Sequence, residues 1–166
     1  IPSGFNPNEY MVKRLWADNN GTAVPISLIY KKSLFKADGS NPLYLYGYGS
    51  YGISIAPAFR SNIFSLIDRG FIFAIAHIRG GDDLGYDWYE DAKFLNKKRT
   101  FDDFIACSEH LIKEQYTSQG NLVICGGSAG GDGHLGRGHR PAHHPAARRR
   151  HHRQEPAQDA SPAGGR

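Results

Sequence analysis

The sequence predicts an α/β domain with a largely parallel sheet, and three observations support this fold class. Segments with strand-like and helix-like apolar spacing alternate between residues 42 and 125. The segment Phe71–His77 is apolar almost throughout, as expected of a strand that is covered on both faces. A second short apolar strand, Leu122–Cys125, runs directly into a glycine-rich turn.

A β-hairpin is predicted near the N-terminus. Tyr10–Trp16 and Val24–Tyr30 are rich in β-branched and aromatic residues, and the segment Asp18–Gly21 between them carries the Asn-Gly turn signal. Pro25 suits an edge strand or the first residue of a strand, because it cannot donate a ladder hydrogen bond. A third short strand is predicted over Pro42–Tyr46.

Two helices are predicted between the remaining strands. Pro57–Arg69 places apolar residues on one face and begins with a proline, which suits a first helical turn, while Gly70 suits the C-cap. Thr100 is the predicted N-cap of a helix that runs to Tyr116, with Asp102 and Asp103 near its positive end. The predicted inward stripe of this helix is Phe101, Phe104, Ile105, Ser108, Leu111 and Ile112.

The turn after Cys125 carries the strongest functional signal. Its residues, Gly126–Gly130, read Gly-Gly-Ser-Ala-Gly, and Gly-x-Ser-x-Gly after a strand is the nucleophile-elbow pattern of α/β-hydrolases. The glycines allow the strained bend that exposes the serine oxygen above the sheet. We therefore predict an α/β-hydrolase fold in which Ser128 is the nucleophile and the Ala129 backbone N–H donates to the oxyanion.

The composition changes abruptly after Gly131. Residues 1–131 hold 13 Lys+Arg and 13 Asp+Glu, whereas residues 132–166 hold 7 Arg and 3 acidic residues and so supply the whole net charge of +4. The second segment contains one leucine and no aromatic residue, Val, Ile or Met, so we predict that it is disordered. Its bias toward Arg, Ala, Pro, Gly and His is typical of GC-rich DNA read out of frame. We hypothesise a frameshift that truncates the domain, residues 1–131, after the elbow.

Several other functional classes are disfavoured by the composition. There is no apolar run of about 18 residues, so no membrane span is predicted. The basic tail has no interleaved aromatic residues, which disfavours nucleic acid as a partner, although a nucleic-acid-binding tail stays an alternative. The histidine pairs at 143–144 and 151–152 suggest only adventitious metal binding, and no cofactor is predicted. Cys107 and Cys125 are predicted to be buried and unpaired, which fits a reducing compartment such as the cytoplasm.

Five blocks within residues 1–131 resemble, in order and spacing, the catalytic domain of the prolyl oligopeptidase family, and most closely its oligopeptidase B branch. The blocks are Asn41–Gly52 (NPLYLYGYGSYG), Asp68–Gly81 (DRGFIFAIAHIRGG), Trp88–Asp91 (WYED), Thr100–Phe104 (TFDDF) and Gly126–Gly131 (GGSAGG). This set is far more specific than a single Gly-x-Ser-x-Gly motif. It spans the globular part of the sequence and none of the segment that follows.

The resemblance implies a serine endopeptidase in which a β-propeller precedes the catalytic domain and admits only short peptides. For the oligopeptidase B branch it implies cleavage after Arg or Lys. It also implies that the Tyr48 hydroxyl is the second oxyanion donor and that Tyr51 lies near the specificity pocket, although ordinary packing is an equally open interpretation for Tyr51.

The general base is not assigned within this sequence. His77 and His110 precede Ser128, whereas the chain order in this fold is Ser, then Asp, then His. His77 is interpreted as a structural histidine and His110 as an exposed one. Because the family places its Asp and His downstream of the elbow, beyond this chain, we expect the 166-residue chain to be inactive and to fold poorly.

The alternative within the fold is an esterase or lipase. Those enzymes usually carry His-Gly-Gly-Gly in the oxyanion loop. Here the corresponding loop, Tyr46–Tyr51, reads Tyr-Gly-Tyr-Gly-Ser-Tyr, which favours the peptidase.

Overall fold

The computed structural model describes residues 5–58 and 60–127, which belong to one unit of the chain, Ile1–Gly136. The predicted Ser128, Ala129 and the segment 132–166 lie outside these described residues. The strands are β1 (Tyr10–Asn19), β2 (Thr22–Lys31), β3 (Leu43–Gly47), β4 (Ile72–Ala76) and β5 (Leu122–Cys125), and the α-helices are α1 (Ser61–Ile67), α2 (Tyr86–Glu90) and α3 (Lys98–Lys113).

The five strands form one mixed sheet in the order β1-β2-β4-β3-β5. β4, β3 and β5 are parallel, as the apolar strand pattern predicts, and β2 joins them as an antiparallel neighbour of β4. β1 and β2 form the predicted hairpin, in which Asn19 pairs with Thr22 and the turn residues Asn20 and Gly21 have φ angles of 52° and 85°. These left-handed φ angles at both turn residues are what the Asn-Gly signal favours.

Pro25 is not at an edge or at the start of a strand, contrary to the prediction. It is the fourth residue of β2, which lies between β1 and β4. The position tolerates proline because the β2–β4 pairing begins at Ile26, so no ladder bond to β4 requires a donor at Pro25. Its carbonyl still accepts a hydrogen bond of 2.9 Å from the His77 N–H.

The first helix is shorter than predicted. α1 begins at Ser61 rather than Pro57, because Arg60 at its N-cap is extended, with φ −133° and ψ 113°. Gly70 does terminate the segment with a φ of 93°, a left-handed angle that favours glycine.

The last helix is rotated relative to the predicted stripe. α3 begins at Lys98, so Thr100 lies inside its first turn and does not cap it. The Thr100 hydroxyl instead donates to the Arg79 carbonyl at 2.8 Å. Ile105, predicted to face inward, is 39% exposed, whereas the buried positions are Thr100, Asp103, Phe104, Cys107 and Leu111.

The sheet is covered on both faces. The larger core cluster includes α3 residues such as Phe104 and Leu111, and the smaller one forms around Ile67 of α1. Cys107 is buried as predicted, and burial raises the pKa of its thiol. Cys125, also predicted to be buried, is only partly so, because β5 is one of the two edge strands among the described residues. None of the described helices has the length and hydropathy needed to cross a bilayer.

Candidate active site

Two neighbouring parallel strands lead to the predicted catalytic residues. β3 and β5 are paired in register, with Tyr46 opposite Cys125. Tyr48 follows two residues beyond Tyr46, and Ser128 follows three residues beyond Cys125. Neighbouring parallel strands are about 4.8 Å apart, so the segments that follow β3 and β5 begin side by side at the carboxyl ends of the strands.

Tyr48 is half-buried between two glycines that have no room for a side chain. A Cβ atom on Gly47 would lie 2.5 Å from the Phe104 ring, and one on Gly49 would lie 2.6 Å from the Arg79 carbonyl oxygen. Both distances are well below van der Waals contact. The backbone on each side of Tyr48 is therefore pressed against α3 and the loop after β4, which fixes where the tyrosine side chain begins.

Tyr51 projects from the following turn. Its φ of 58° is left-handed, which is uncommon for a bulky residue and is often found at functional positions. The side chain is 74% exposed and lines a hollow of about 220 Å³ together with Tyr89, Phe94 and Lys97. Packing into the core of the described residues therefore does not explain this residue.

The turn that carries both tyrosines, residues 48–52 (the 48–52 turn), interlocks with the loop after β4. The Gly52 N–H donates to the Gly80 carbonyl at 3.0 Å. A Cβ atom on Gly80 would lie 2.3 Å from the Gly49 carbonyl oxygen, and Gly80 has a φ of 100°. Two backbone segments thus approach each other as closely as glycine allows.

Substitution of Gly80 by alanine tests this close approach against a matched control. We expect Gly85→Ala, at φ 99° with nothing near its Cβ, to cost about 1 kcal/mol through backbone strain alone. Gly80→Ala adds the clash with Gly49 and should cost about 1–2 kcal/mol more, as overpacking does. The difference in free energy is measured from the urea dependence of hydrogen exchange in β4 peptides of the complete protein that carries residues 1–131 (the gene product). Equal costs at the two positions would contradict the crowding inferred here.

An ion pair beneath this loop is the main feature that sequence reasoning missed. Arg79 donates to Asp103 from its backbone N–H, Nε and Nη2 at 3.0, 2.9 and 2.7 Å. Asp103 also accepts a hydrogen bond of 2.7 Å from Asn19 Nδ2. Its carboxylate is fully buried in this pair, so it does not serve the helix dipole as predicted. The hydrogen bonds to Asp103 raise the pKa of Arg79, and its guanidinium lies 5.8 Å from the Trp88 ring centroid. The partners are 24 residues apart, so no local pattern reveals the pair.

His77 is a structural histidine, as predicted. Its Nε2 lies 2.8 Å from Ser27 Oγ and its Nδ1 lies 2.7 Å from Asp83 Oδ1. The distances resemble those of a Ser-His-Asp triad, but Ser27 lies inside β2 between two paired strands and is 8% exposed. The arrangement therefore links β2, β4 and the loop that follows.

Neither described histidine is placed to act as a general base beside the 48–52 turn. Both ring nitrogens of His77 are engaged, and His110 is half-buried rather than exposed as predicted. The start of α3 contacts the 48–52 turn, and His110 follows Lys98 by twelve residues, a rise of about 18 Å along the helix. Within residues 5–58 and 60–127, no group of three His, Cys, Asp or Glu side chains could hold a metal ion.

Comparison with known proteins gives a consistent result. Residues 57–132 match the prolyl oligopeptidase family. Dipeptidyl aminopeptidase BI of Pseudoxanthomonas mexicana is 43% identical over 130 residues, covering 77% of this chain and 18% of the relative. A prolyl endopeptidase of Elizabethkingia meningoseptica is 40% identical over 128 residues, covering 76% of this chain and 18% of its own length.

The structural comparison agrees with the sequence matches. Oligopeptidase B from Leishmania major superposes with a TM-score of 0.73 at 46% identity, covering 76% of this chain and 18% of that structure. The chain thus spans about a fifth of the length of the relatives it matches. The predicted α/β-hydrolase class is confirmed, and this chain belongs to the prolyl oligopeptidase family, of whose catalytic domain it represents a part.

Proposed function

We propose that this chain supplies the nucleophile and the oxyanion hole of a serine peptidase that hydrolyses short peptides. The observation that carries the proposal is the register of β3 and β5, with Tyr46 opposite Cys125, which brings Tyr48 and the approach to Ser128 to one edge of the sheet. The family match over residues 57–132 supports the same assignment.

The chemistry follows from the types of residue at this edge. Ser128 would attack the scissile carbonyl once a base removes its proton, and an acyl-enzyme would form. The Ala129 N–H and the Tyr48 hydroxyl would donate to the oxygen that becomes negative in the tetrahedral intermediate. Because neither His77 nor His110 is placed to accept the proton, the base belongs to residues outside the described part.

For specificity we propose cleavage after Arg or Lys. Among the solved structures, the identity is 46% to the Leishmania major oligopeptidase B and 38% to a prolyl endopeptidase. Tyr51 would form part of the wall against which the residue before the scissile bond packs, because its ring is exposed at this edge. The two free cysteines among the described residues are compatible with a cytoplasmic enzyme, which we retain as part of the proposal.

A covalent probe tests the nucleophile, and a set of substrates tests the specificity. The gene product that carries residues 1–131 is treated with a fluorophosphonate, and the modified residue is located by peptide mass spectrometry. We expect the label on Ser128. A label on Ser27 would instead make the buried Ser27-His77-Asp83 arrangement the reactive one, and no label on any serine would overturn the proposal.

Fluorogenic amides with Arg, Lys or Pro before the scissile bond, and a short-chain ester, separate the specificities. We expect the Arg and Lys amides to be hydrolysed with the highest kcat/KM. Preference for the Pro amide would retain a peptidase and reject the proposed specificity. Hydrolysis of the ester alone would favour the esterase alternative.

We also propose that the peptidase domain sequence ends at Gly131 and that residues 132–166 come from another reading frame. The family match ends at residue 132, where the composition changes. Sequencing of the source DNA tests this: a helix-forming apolar continuation in another frame is expected. An unbroken frame through codon 131 in independent isolates would reject the frameshift and reopen the alternative of a basic, nucleic-acid-binding tail.

A further inference from the structure

We propose that Lys97 is a positioning residue that holds the 48–52 turn, and through it Tyr48, in the geometry needed for catalysis. This inference rests on the proposed function, since it concerns the oxyanion donor of that same site. Lys97 Nζ donates to the Gly49 carbonyl and, at 2.6 Å, to Ser50 Oγ. The ammonium group therefore contacts the two residues that directly follow Tyr48.

One side of the segment 97–104 contacts residues 47–50 at three levels. Lys97 precedes the helix, and Thr100 and Phe104 follow three and seven residues later, so all three lie on one side. The Thr100 methyl would lie 2.6 Å from a Cβ on Gly49, and the Phe104 ring would lie 2.5 Å from one on Gly47. Thr100 and Phe104 limit the positions of Gly49 and Gly47 by contact, whereas Lys97 is the member of this set that holds the turn by hydrogen bonds.

The burial of Lys97 shows that this contact is built into the site. The residue is half-buried, and desolvation lowers the pKa of its ammonium group, whereas the next residue, Lys98, has a side chain that is 83% exposed and pairs with Asp102. A surface lysine that served solubility would keep its ammonium group in water, as Lys98 does. Lys97 instead gives up part of its hydration to reach Gly49 and Ser50.

If Tyr48 became mobile, the enzyme would catalyse the reaction more slowly but would bind substrate as before. The oxyanion exists only in the tetrahedral intermediate and its transition states, so a misplaced donor lowers kcat more than it changes KM. A displacement of about 1 Å at a reacting centre can cost about 10²-fold in rate. Loss of one anchor, with Thr100 and Phe104 still in place, should cost less, so we expect roughly a tenfold fall.

The experiment compares Lys97→Met with Lys98→Met in the gene product that carries residues 1–131 within a complete catalytic domain. Lys97→Met keeps an apolar stem as long as that of lysine and removes the ammonium donor. We expect about a tenfold lower kcat with KM within about twofold of the wild type, and no change for Lys98→Met. Hydrogen exchange should accelerate in peptides that cover the 48–52 turn, which includes the Gly52 N–H, in Lys97→Met only.

A double-variant cycle shows whether Lys97 acts through Tyr48. In a Tyr48→Phe background, Lys97→Met should have little further effect on kcat, because the donor that it positions is already absent. An equal loss of kcat in both backgrounds, or unchanged exchange in the 48–52 turn, would overturn the proposal. If Tyr48→Phe alone has no effect, the oxyanion assignment fails, while the exchange measurement still decides whether Lys97 holds the turn.

Discussion

Tyr48→Phe should lower the kcat of the gene product by about 10²–10³-fold, the range measured when one oxyanion donor is removed from a serine protease. The change removes a single oxygen and keeps the ring, so the close contacts of Gly47 and Gly49 with their neighbours are unaffected. KM should change little, because the ground-state carbonyl needs the hydroxyl far less than the oxyanion does. Steady-state kinetics with an Arg amide substrate measure both constants.

Tyr46→Phe is the matched control for this prediction. Tyr46 lies two residues earlier, on β3, and is also half-buried, but it packs against the smaller core cluster around Ile67. Loss of its hydroxyl should leave kcat within about twofold, as for surface changes away from a special site. Similar losses in both variants would mean that Tyr48 acts through stability, and an unaffected kcat in Tyr48→Phe would remove it from the oxyanion hole.

The sequence predicts well those parts of the fold that depend on residues close together in the chain. The Asn-Gly turn defines the hairpin because few other residues accept two successive left-handed angles. The uninterrupted apolar run that becomes β4 indicates cover on both faces, and β4 is indeed parallel to β3, although its other neighbour, β2, is antiparallel. Tyr48 and the first two elbow glycines, Gly126 and Gly127, follow neighbouring strand ends because parallel strands present their carboxyl ends at one edge.

The rotation of α3 could not be predicted, because it depends on a distant partner. An apolar stripe through Phe101 and Ile105 satisfies helical spacing as well as the observed one does. The burial of Asp103 selects the observed stripe, because its carboxylate can enter the core only where it pairs with Arg79. Lys97 was missed for the same reason: its acceptors lie 48 and 47 residues away in sequence. The roles of charged residues near the site therefore follow from their contacts in the folded structure and not from the sequence pattern.

Asp103→Asn should destabilise the domain by about 3–5 kcal/mol, the cost of breaking a buried ion pair from one side. Oδ1 accepts from Asn19 and Arg79, and Oδ2 accepts from the Arg79 Nε and backbone N–H. An amide nitrogen in either position would face two donors, and the Arg79 guanidinium would stay buried without its counter-charge. Asp102→Asn, next in sequence but in the exposed pair with Lys98, should cost no more than about 0.5 kcal/mol.

The comparison between the two aspartates shows whether the ion pair also supports the site. Urea-dependent hydrogen exchange of α3 peptides in the gene product gives both free energies. Because Arg79 precedes Gly80, and Gly80 abuts Gly49, loosening of Arg79 should reach the 48–52 turn and raise its exchange in Asp103→Asn at urea concentrations well below the unfolding midpoint. Equal costs for Asp102→Asn and Asp103→Asn would mean that the buried pair contributes no more than a surface pair. A large cost with unchanged exchange in the 48–52 turn would confine the ion pair to stability and leave Lys97 and the crowded glycines as the groups that position Tyr48.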